Sequence, residues 1–227
     1  MNHPRRGMAI IISNHTFRDP NQNRPGLKKD AERLQEMFAA LRFDIKPYEN
    51  LTSIGMKESV RRDVSHGPYH SEADCFALAI LSHGSSDNLI CGVEGDAASL
   101  ENILRPVQNQ EHLAGKPKIV IVLACRGVSD VPSFDLATLQ RSLPVVTDFV
   151  TVFATMPGTK AYTSDTGSVF ISTLCDTMKE FCNQGHFLEI LTILVDRVTQ
   201  REKYVCPTFS SQLRKQLWFR YVLQGFH

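Results

Sequence analysis

A thiol and an imidazole follow two apolar runs of this chain, and these two side-chain types together can carry out nucleophilic catalysis. Cys125 lies two residues beyond the apolar run 119–123, and His83 lies two residues beyond the run 76–81. Both runs have the length and composition of buried strands. Because parallel strands of an open α/β sheet bring their carboxyl ends to one edge, the two side chains can meet there.

A histidine beside a cysteine stabilises its thiolate and can later protonate a leaving amine. Gly84 follows the histidine directly, and a glycine there lets a substrate approach the backbone. Its N–H and that of Cys125 could together hold an oxyanion. The pattern also has a simpler interpretation, in which Cys125 is a small core residue and His83 a hydrogen-bonded polar group at a strand end. Spacing alone favours that simpler interpretation.

Alternating strands and helices must position these residues. Residues 8–12 predict a short buried strand, 28–41 an amphipathic helix, and 43–47 a second strand. We expect further helices at 53–63 and 97–104, interleaved with the strands that precede the imidazole and the thiol. This alternation predicts a sheet with helices on both faces.

The pattern fails between 127 and 148, where aspartates and prolines interrupt every period, and we interpret this stretch as a linker. Beyond it, 149–154 predicts a strand, and 168–181 and 187–198 predict two amphipathic helices. The tail, 208–221, mixes polar and apolar residues and could form a final strand, although its propensities do not settle the matter.

Composition excludes several classes of function. With 227 residues, of which 42% are hydrophobic, the chain can form one compact unit with a substantial core. Its net charge of +1 provides no overall field for nucleic acid or an anionic membrane. We find no phosphate-binding glycine loop and expect no cofactor. The apolar runs fall short of the roughly 20 residues that a membrane span needs, and we expect neither membrane association nor secretion.

The cysteines and histidines outside the candidate pair have ordinary interpretations. Cys75, Cys175 and Cys182 lie among apolar neighbours, as buried thiols of reduced compartments do, so we expect no disulfides and a cytoplasmic location. His66 and His70 have a spacing compatible with metal, but no cysteine or carboxylate pattern accompanies them. We expect a solvated loop there and no metal site.

Several short motifs stand in a definite order along the chain. They are Asn50-Leu51-Thr52, Ser82-His83-Gly84, Gly115-Lys116-Pro117-Lys118, Ala124-Cys125-Arg126-Gly127 and Met156-Pro157-Gly158. In sequence and order they resemble the motifs of caspases, cysteine peptidases that cleave after aspartate. The resemblance extends from about residue 7 to residue 219.

The resemblance implies an α/β fold, namely a caspase-like three-layer sandwich with a mixed six-stranded central sheet flanked by helices. It also implies a large-subunit-like region, 1–130, that carries His83 and Cys125, an intersubunit linker, 131–147, and a small-subunit-like region, 148–227. The last strand would form a dimer edge, pairing the chain with a second copy or with another caspase. The linker would be cut after Asp130 or Asp135 to convert a zymogen, and the few residues before the first strand predict a short prodomain.

The chain departs from the caspase pattern where the substrate is recognised. The resemblance implies an aspartate pocket made by two arginines and by the glutamine two residues before the nucleophile. Arg24, before Pro25-Gly26, falls on the first arginine, but Leu123 replaces the glutamine, and Thr163, beside Tyr162, falls where the second arginine would be. The segment 198–207 is also short where many relatives carry a longer loop.

Two functions follow from these features. The chain could be an active cysteine endopeptidase that cleaves peptide or protein substrates after aspartate, with Cys125 as nucleophile and His83 as acid and base. It could instead be a decoy caspase, weakly active or inactive, that regulates an active caspase by dimerisation in apoptosis. The intact catalytic pair favours the first, and the depleted pocket favours the second. We favour the second, because catalytic groups without substrate binding give little turnover.

Overall fold

The computed structural model describes residues 3–127, 147–159, 163–202 and 205–219. Eight strands and six helices lie within these ranges. The strands are β1 (Arg5–Ser13), β2 (Asp44–Glu49), β3 (Ala73–Leu81), β4 (Leu89–Cys91), β5 (Ala97–Ser99), β6 (Lys118–Leu123), β7 (Phe149–Phe153) and β8 (Thr208–Ser211). The helices are α1 (Gly26–Ala40), α2 (Ser53–Val64), α3 (Gly67–Ser71), α4 (Leu100–Gln108), α5 (Val169–Phe181) and α6 (Phe187–Arg201).

Six of the strands form one mixed sheet in the order β2-β1-β3-β6-β7-β8. The first five are parallel, and β8 pairs antiparallel with β7. Strands β4 and β5 form a separate two-stranded ribbon just beyond the carboxyl end of β3. The predicted six-stranded mixed sheet is confirmed.

Successive side chains of the central strands point to opposite faces of the sheet, and both faces are buried. In β6, the side chains of Ile119, Ile121 and Leu123 face one core, and those of Val120 and Val122 face the other. Helices α1, α5 and α6 cover the first face, and α2 and α4 cover the second. Strands with two buried faces read as continuous apolar runs, which is why β1, β3 and β6 were recognisable from the sequence.

Three local predictions need correction. The predicted helix at 97–104 begins only at Leu100, because residues 97–99 pair with β4 and the Ser99 side chain caps the helix by accepting the Asn102 N–H at 3.2 Å. The predicted final strand at 208–221 ends at Ser211. Beyond it, the chain returns to the core, where Leu217 and Phe219 are buried.

The third correction concerns the segment with His66 and His70, which was expected to be a solvated loop. It contains the short helix α3, and the His70 ring is fully buried. His70 Nε2 lies 3.2 Å from the Asp63 carbonyl oxygen, while its Nδ1 is buried without a partner among the described residues. Burial is the largest influence on this ring and lowers the pKa of His70. The imidazole is therefore a neutral core group.

Candidate active site

Two neighbouring parallel strands deliver the predicted thiol and imidazole to one edge of the sheet. Leu81 of β3 pairs with Leu123 of β6, and the Ser82 N–H donates to the Leu123 carbonyl at 3.0 Å. His83 and Cys125 each lie two residues beyond this pair, so they leave the sheet at the same level. The structure thus brings both residues to the carboxyl edge, where α/β sheets form their sites.

Gly84 lies where two backbone segments pass too closely for a side chain. A Cβ at this position would stand 2.4 Å from the Cys125 carbonyl oxygen and 3.0 Å from the Leu89 carbonyl oxygen. Gly84 also forms an antiparallel bridge with Ile90, next to β4. A glycine is needed here because it lets the histidine segment lie directly against the cysteine segment.

The ring of His83 is held in one tautomer by a backbone carbonyl. Its Nε2 lies 2.7 Å from the Gln22 carbonyl oxygen, and the Phe17 ring stands edge-on to it at 4.8 Å. Since a carbonyl can only accept, Nε2 must carry the hydrogen, and the neutral ring then has its lone pair on Nδ1. Sequence reasoning missed Gln22, because a main-chain oxygen can be supplied by any residue type.

Arg24 reaches the same ring nitrogen. Its Nε lies 3.4 Å from His83 Nε2. The Arg24 N–H could donate a hydrogen bond to Nε2 only if Nε2 carried no hydrogen. The Gln22 carbonyl is 0.7 Å closer and requires that hydrogen. We therefore interpret the Arg24 contact as the close approach of a cation to an N–H group.

These contacts favour the neutral form of His83. Burial is the largest influence and lowers the pKa of His83 from its ordinary 6.5, the Gln22 carbonyl raises it, and the charge of Arg24 lowers it further. A neutral imidazole is a competent base towards a thiol, but a weaker reservoir of the proton that a leaving amine needs.

A second thiol lies close to this pair. Cys91, at the end of β4, donates its N–H to the His83 carbonyl at 2.9 Å. Burial raises the pKa of the Cys91 thiol, and the charge of Cys125 raises it further. All six cysteines lie in the described residues, and none of them forms a disulfide.

Arg126 is a buried cation beside the candidate nucleophile, which the sequence analysis did not single out. The residue is 8% exposed, its Nε donates to Asn88 Oδ1 at 3.0 Å, and its guanidinium lies 3.9 Å from the centre of the Phe153 ring. Its Nη1 is buried without a partner among the described residues. Burial lowers the pKa of Arg126 to about 10, still far above neutral pH. The side chain remains charged and costly to bury.

The predicted pocket residues lie in different environments. Leu123 is 2% exposed and lines a small pocket beside Ala154 and Phe170. Thr163 is half-buried, and its hydroxyl oxygen lacks a partner among the described residues. Tyr162 and the predicted cleavage positions Asp130 and Asp135 lie outside the described residues, as does the predicted linker except for Thr147.

A buried carboxylate joins α1 to the loop that carries Thr163. Asp30 is fully buried, and both of its oxygens accept the Ser168 N–H, at 3.0 and 2.9 Å. Arg33, one turn along, donates to the Thr166 carbonyl at 3.0 Å. Burial outweighs these favourable contacts and raises the pKa of Asp30 to about 6. The loop is thereby tied to the helix that begins just after Arg24.

The described part of the chain contains neither a candidate metal site nor a candidate membrane span. Within the described residues, no group of three or more histidine, cysteine, aspartate or glutamate side chains is arranged to hold a metal ion. Among the helices of the same part of the chain, none has the length and apolar character to cross a membrane.

Comparison with known proteins gives one consistent result. The family model described as "Caspase domain" matches residues 6–218. The chain is 31% identical to Caspase-3 of Mesocricetus auratus, over 96% of this chain and 86% of that protein. It is 28% identical to Caspase-6 of Bos taurus, over 96% of this chain and 85% of that protein. The crystal structure of Caspase-1 from Spodoptera frugiperda superposes with a TM-score of 0.82 at 25% identity, covering 96% of this chain and 92% of that one.

Proposed function

This chain belongs to the caspase family, and we propose that it acts mainly as a regulatory partner of an active caspase in apoptosis, with weak or no peptidase activity of its own. Caspases typically dimerise and bind protein substrates. We place the protein in the cytoplasm, where its partner would act. The two parts of the proposal, an impaired pocket and an available dimer edge, have separate support.

The catalytic groups are retained in this proposal. Cys125 would attack the substrate carbonyl, His83 would take and return the proton, and the N–H groups of Gly84 and Cys125 would hold the oxyanion. Two observations support these roles. The strands that precede His83 and Cys125 end side by side in the sheet, and the Gly84 backbone lies directly against the Cys125 carbonyl.

The observation that carries the proposal is the nature of the pocket side chains. Leu123 offers a buried apolar group where the family pattern implies an amide, and Thr163 offers a short hydroxyl where it implies a guanidinium. A charge-assisted hydrogen bond contributes about 1.5 to 3 kcal/mol, so the loss of two such partners weakens binding of an aspartate side chain by roughly two to four orders of magnitude. The remaining cation, Arg24, lies against the histidine ring.

The proposed dimer edge is β8. This strand is the last of the sheet, and the Gln212 N–H beyond it donates to the Phe149 carbonyl at 2.8 Å. By strand alternation, the N–H groups of Phe209 and Ser211 then point away from β7, towards the open side. An exposed strand edge of this kind can pair with a second strand, from another copy of this chain or from another caspase.

We further propose that 1–130 and 148–227 correspond to the large and small subunits of the family, joined by the linker 131–147. Cleavage after Asp130 or Asp135 would then separate the catalytic pair from the edge strand in sequence while β6 and β7 stay paired in the sheet.

The alternative is an active endopeptidase that cleaves after aspartate, and the retained cysteine and histidine favour it. A panel of fluorogenic peptides ending in aspartate and in other residues separates the two functions. We expect little turnover from protein with the linker intact or cut. Robust turnover that Cys125→Ala abolishes would establish the active enzyme and refute the decoy.

A second experiment tests the regulatory role. The protein is mixed with active caspases from the same cell, and their peptidase activity, thermal stability and sedimentation are measured. We expect at least one of them to change, and the effect to be lost in Ser211→Pro, which removes an N–H from the open edge. Ser211→Ala is the matched control, because it removes the same side chain and keeps that N–H. If every caspase remains unaffected, the regulatory proposal fails.

A third experiment tests the pocket. Restoring both groups with Leu123→Gln and Thr163→Arg should raise cleavage after aspartate by more than either change alone. Absence of any gain would show that these two positions do not form the pocket.

A further inference from the structure

The remaining cation of the proposed pocket touches the ring proposed to transfer protons. Arg24 Nε and the Gln22 carbonyl oxygen lie 3.4 and 2.7 Å from the same atom, His83 Nε2. Because the nearer oxygen requires a hydrogen on Nε2, a second proton must enter the ring at Nδ1. The ring then becomes a cation with its positive charge beside the guanidinium.

Two positive charges at this separation repel each other, and partial burial of both side chains strengthens the repulsion. The charge of the arginine therefore opposes protonation of the histidine. A carboxylate bound to the guanidinium cancels much of that field at the ring. The proton on the histidine and the anion on the arginine are thus linked.

We propose that Arg24 couples the binding of an acidic side chain in the specificity pocket to protonation of His83, so that the substrate's own carboxylate recruits the proton that the leaving amine requires. The inference rests on the proposed function, in that Arg24 belongs to the pocket. The proton comes from a hydronium ion of the solvent: its O–H bond breaks, an N–H bond forms at Nδ1, and water is left. An occupant without negative charge would leave the ring neutral.

The surroundings of His83 contain few other groups that could produce such coupling. Cys125 follows β6 beside it, Cys91 bonds to its carbonyl oxygen, and Phe17 offers only a ring edge. Two titratable groups close in sequence to Gln22 and Arg24 have partners of their own: His15 lies 3.4 Å from Glu49, and Asp30 accepts the Ser168 N–H. Among the charged side chains of the described residues, Arg24 is the one whose field acts on His83.

Nuclear magnetic resonance of the full chain, labelled in its histidine rings, tests the coupling without relying on activity. The His83 signal is titrated from about pH 8 to about pH 5 alone, with acetyl-aspartate methylamide, and with acetyl-asparagine methylamide, the uncharged isostere. We expect the aspartate probe to raise the pKa of His83 and the asparagine probe to leave it unchanged. By reciprocity, affinity for the aspartate probe should rise by about fivefold or more as His83 becomes protonated, since couplings of this kind span 5–150-fold.

Arg24→Gln should raise the pKa of His83 in the absence of any probe and remove the response to the aspartate probe. Arg18→Gln is the matched control, because Arg18 lies nearby in sequence and its ion partner is Glu94, at 3.7 Å. Should Arg24→Gln not fold, the two probes applied to the natural protein still decide. An aspartate probe that fails to bind at about 0.1 M, or that binds without moving the His83 titration, overturns the coupling. Neither result bears on peptide turnover, so the decoy proposal can stand or fall separately.

Discussion

The substitution Asp30→Asn measures how much the burial of one ionised carboxylate lowers the free energy of unfolding. Asp30 links α1 to the loop that carries Thr163 by accepting the Ser168 N–H. In the folded protein the pKa of Asp30 is about 6, against an ordinary value of 3.8. Because the folded state holds the proton more tightly than the unfolded chain, the favourable contribution of this group is complete below 3.8. It is lost as the pH rises through 6. The difference of about two pKa units corresponds to roughly 3 kcal/mol.

Most of that loss of stability occurs at acidic pH, but a measurable part occurs in the pH range in which folded proteins are usually studied. Linkage with these two pKa values gives a loss of roughly 1.5 kcal/mol between about pH 5 and pH 7.5. Asparagine keeps an oxygen to accept the Ser168 N–H but cannot ionise. We therefore expect the free energy of unfolding of the natural protein to fall relative to that of Asp30→Asn by this amount over the interval.

Urea denaturation of both proteins at the two pH values, at constant ionic strength, measures the difference. Taking the difference between proteins cancels the titration of all other groups. Asp176→Asn, which removes a solvent-exposed carboxylate from α5, is the control for net charge. A difference between the natural protein and Asp30→Asn that is the same at both pH values, or that changes with the opposite sign, would refute the reasoning.

Three further changes should have definite effects. Gly84→Ala places a methyl group 2.4 Å from the Cys125 carbonyl oxygen, so we expect the free energy of unfolding in urea to fall by about 1 to 3 kcal/mol. Arg126→Met replaces a buried cation by an apolar group of similar length, and calorimetry should show a higher Tm, with a gain of about 1 to 4 kcal/mol. His70→Gln removes a buried ring whose pKa is lowered from 6.5. The natural protein should lose stability relative to this variant, in urea denaturation, as the pH falls through and below about 6.5.

Each of these changes has a matched control. Gly55→Ala lies in α2, where the added methyl meets nothing nearer than 3.2 Å, and it should be close to neutral. Arg197→Met removes a cation that also stacks on a ring but is paired with Glu180 at 2.8 Å, and it should not raise the Tm. His66→Gln, which changes an exposed ring of the same segment, is the control for His70→Gln. Equal behaviour of a variant and its control would contradict the corresponding prediction.

The sequence predicted the sheet because its central strands are buried on both faces. The apolar runs within β3 and β6 contain almost no polar residue. His83 and Gly84 mark the end of the first run, and Cys125 and Gly127 mark the end of the second. Helix α6 was equally clear, since one stripe of its surface is continuously apolar. The spacing of apolar residues shows which faces of an element are buried. Strands β3 and β6 and helix α6 were predictable because burial determines their sequences.

Periodicity failed where a few residues decide the structure. Ala97 and Ala98 suit a helix, yet they pair with β4, and only the capping Ser99 marks the true start of α4. Phe219 looked like part of a strand but packs at 5.6 Å against Phe187 of α6, a contact between distant segments. Sequence spacing carries no information about such partners.

The candidate site was predictable only in part for the same reason. His83 and Cys125 have types that announce chemistry. The sequence does not reveal the role of the Gln22 carbonyl, because every residue has a backbone oxygen. It does not reveal that Arg126 is buried, because most arginines are exposed. What the sequence could not supply is the set of contacts that decides how each reactive group is protonated.

The two outer strands of the sheet differ in how readily a further strand could pair with them. On β2, Pro47 interrupts the outward row of amide hydrogens, with charged side chains at Asp44 and Lys46 beside it. The residues Thr208–Ser211 of β8 contain no such interruption. A molecule that can be extended on one side only saturates after a single addition. If chains pair through β8 as proposed, their association therefore ends in a closed pair and does not propagate into a fibre.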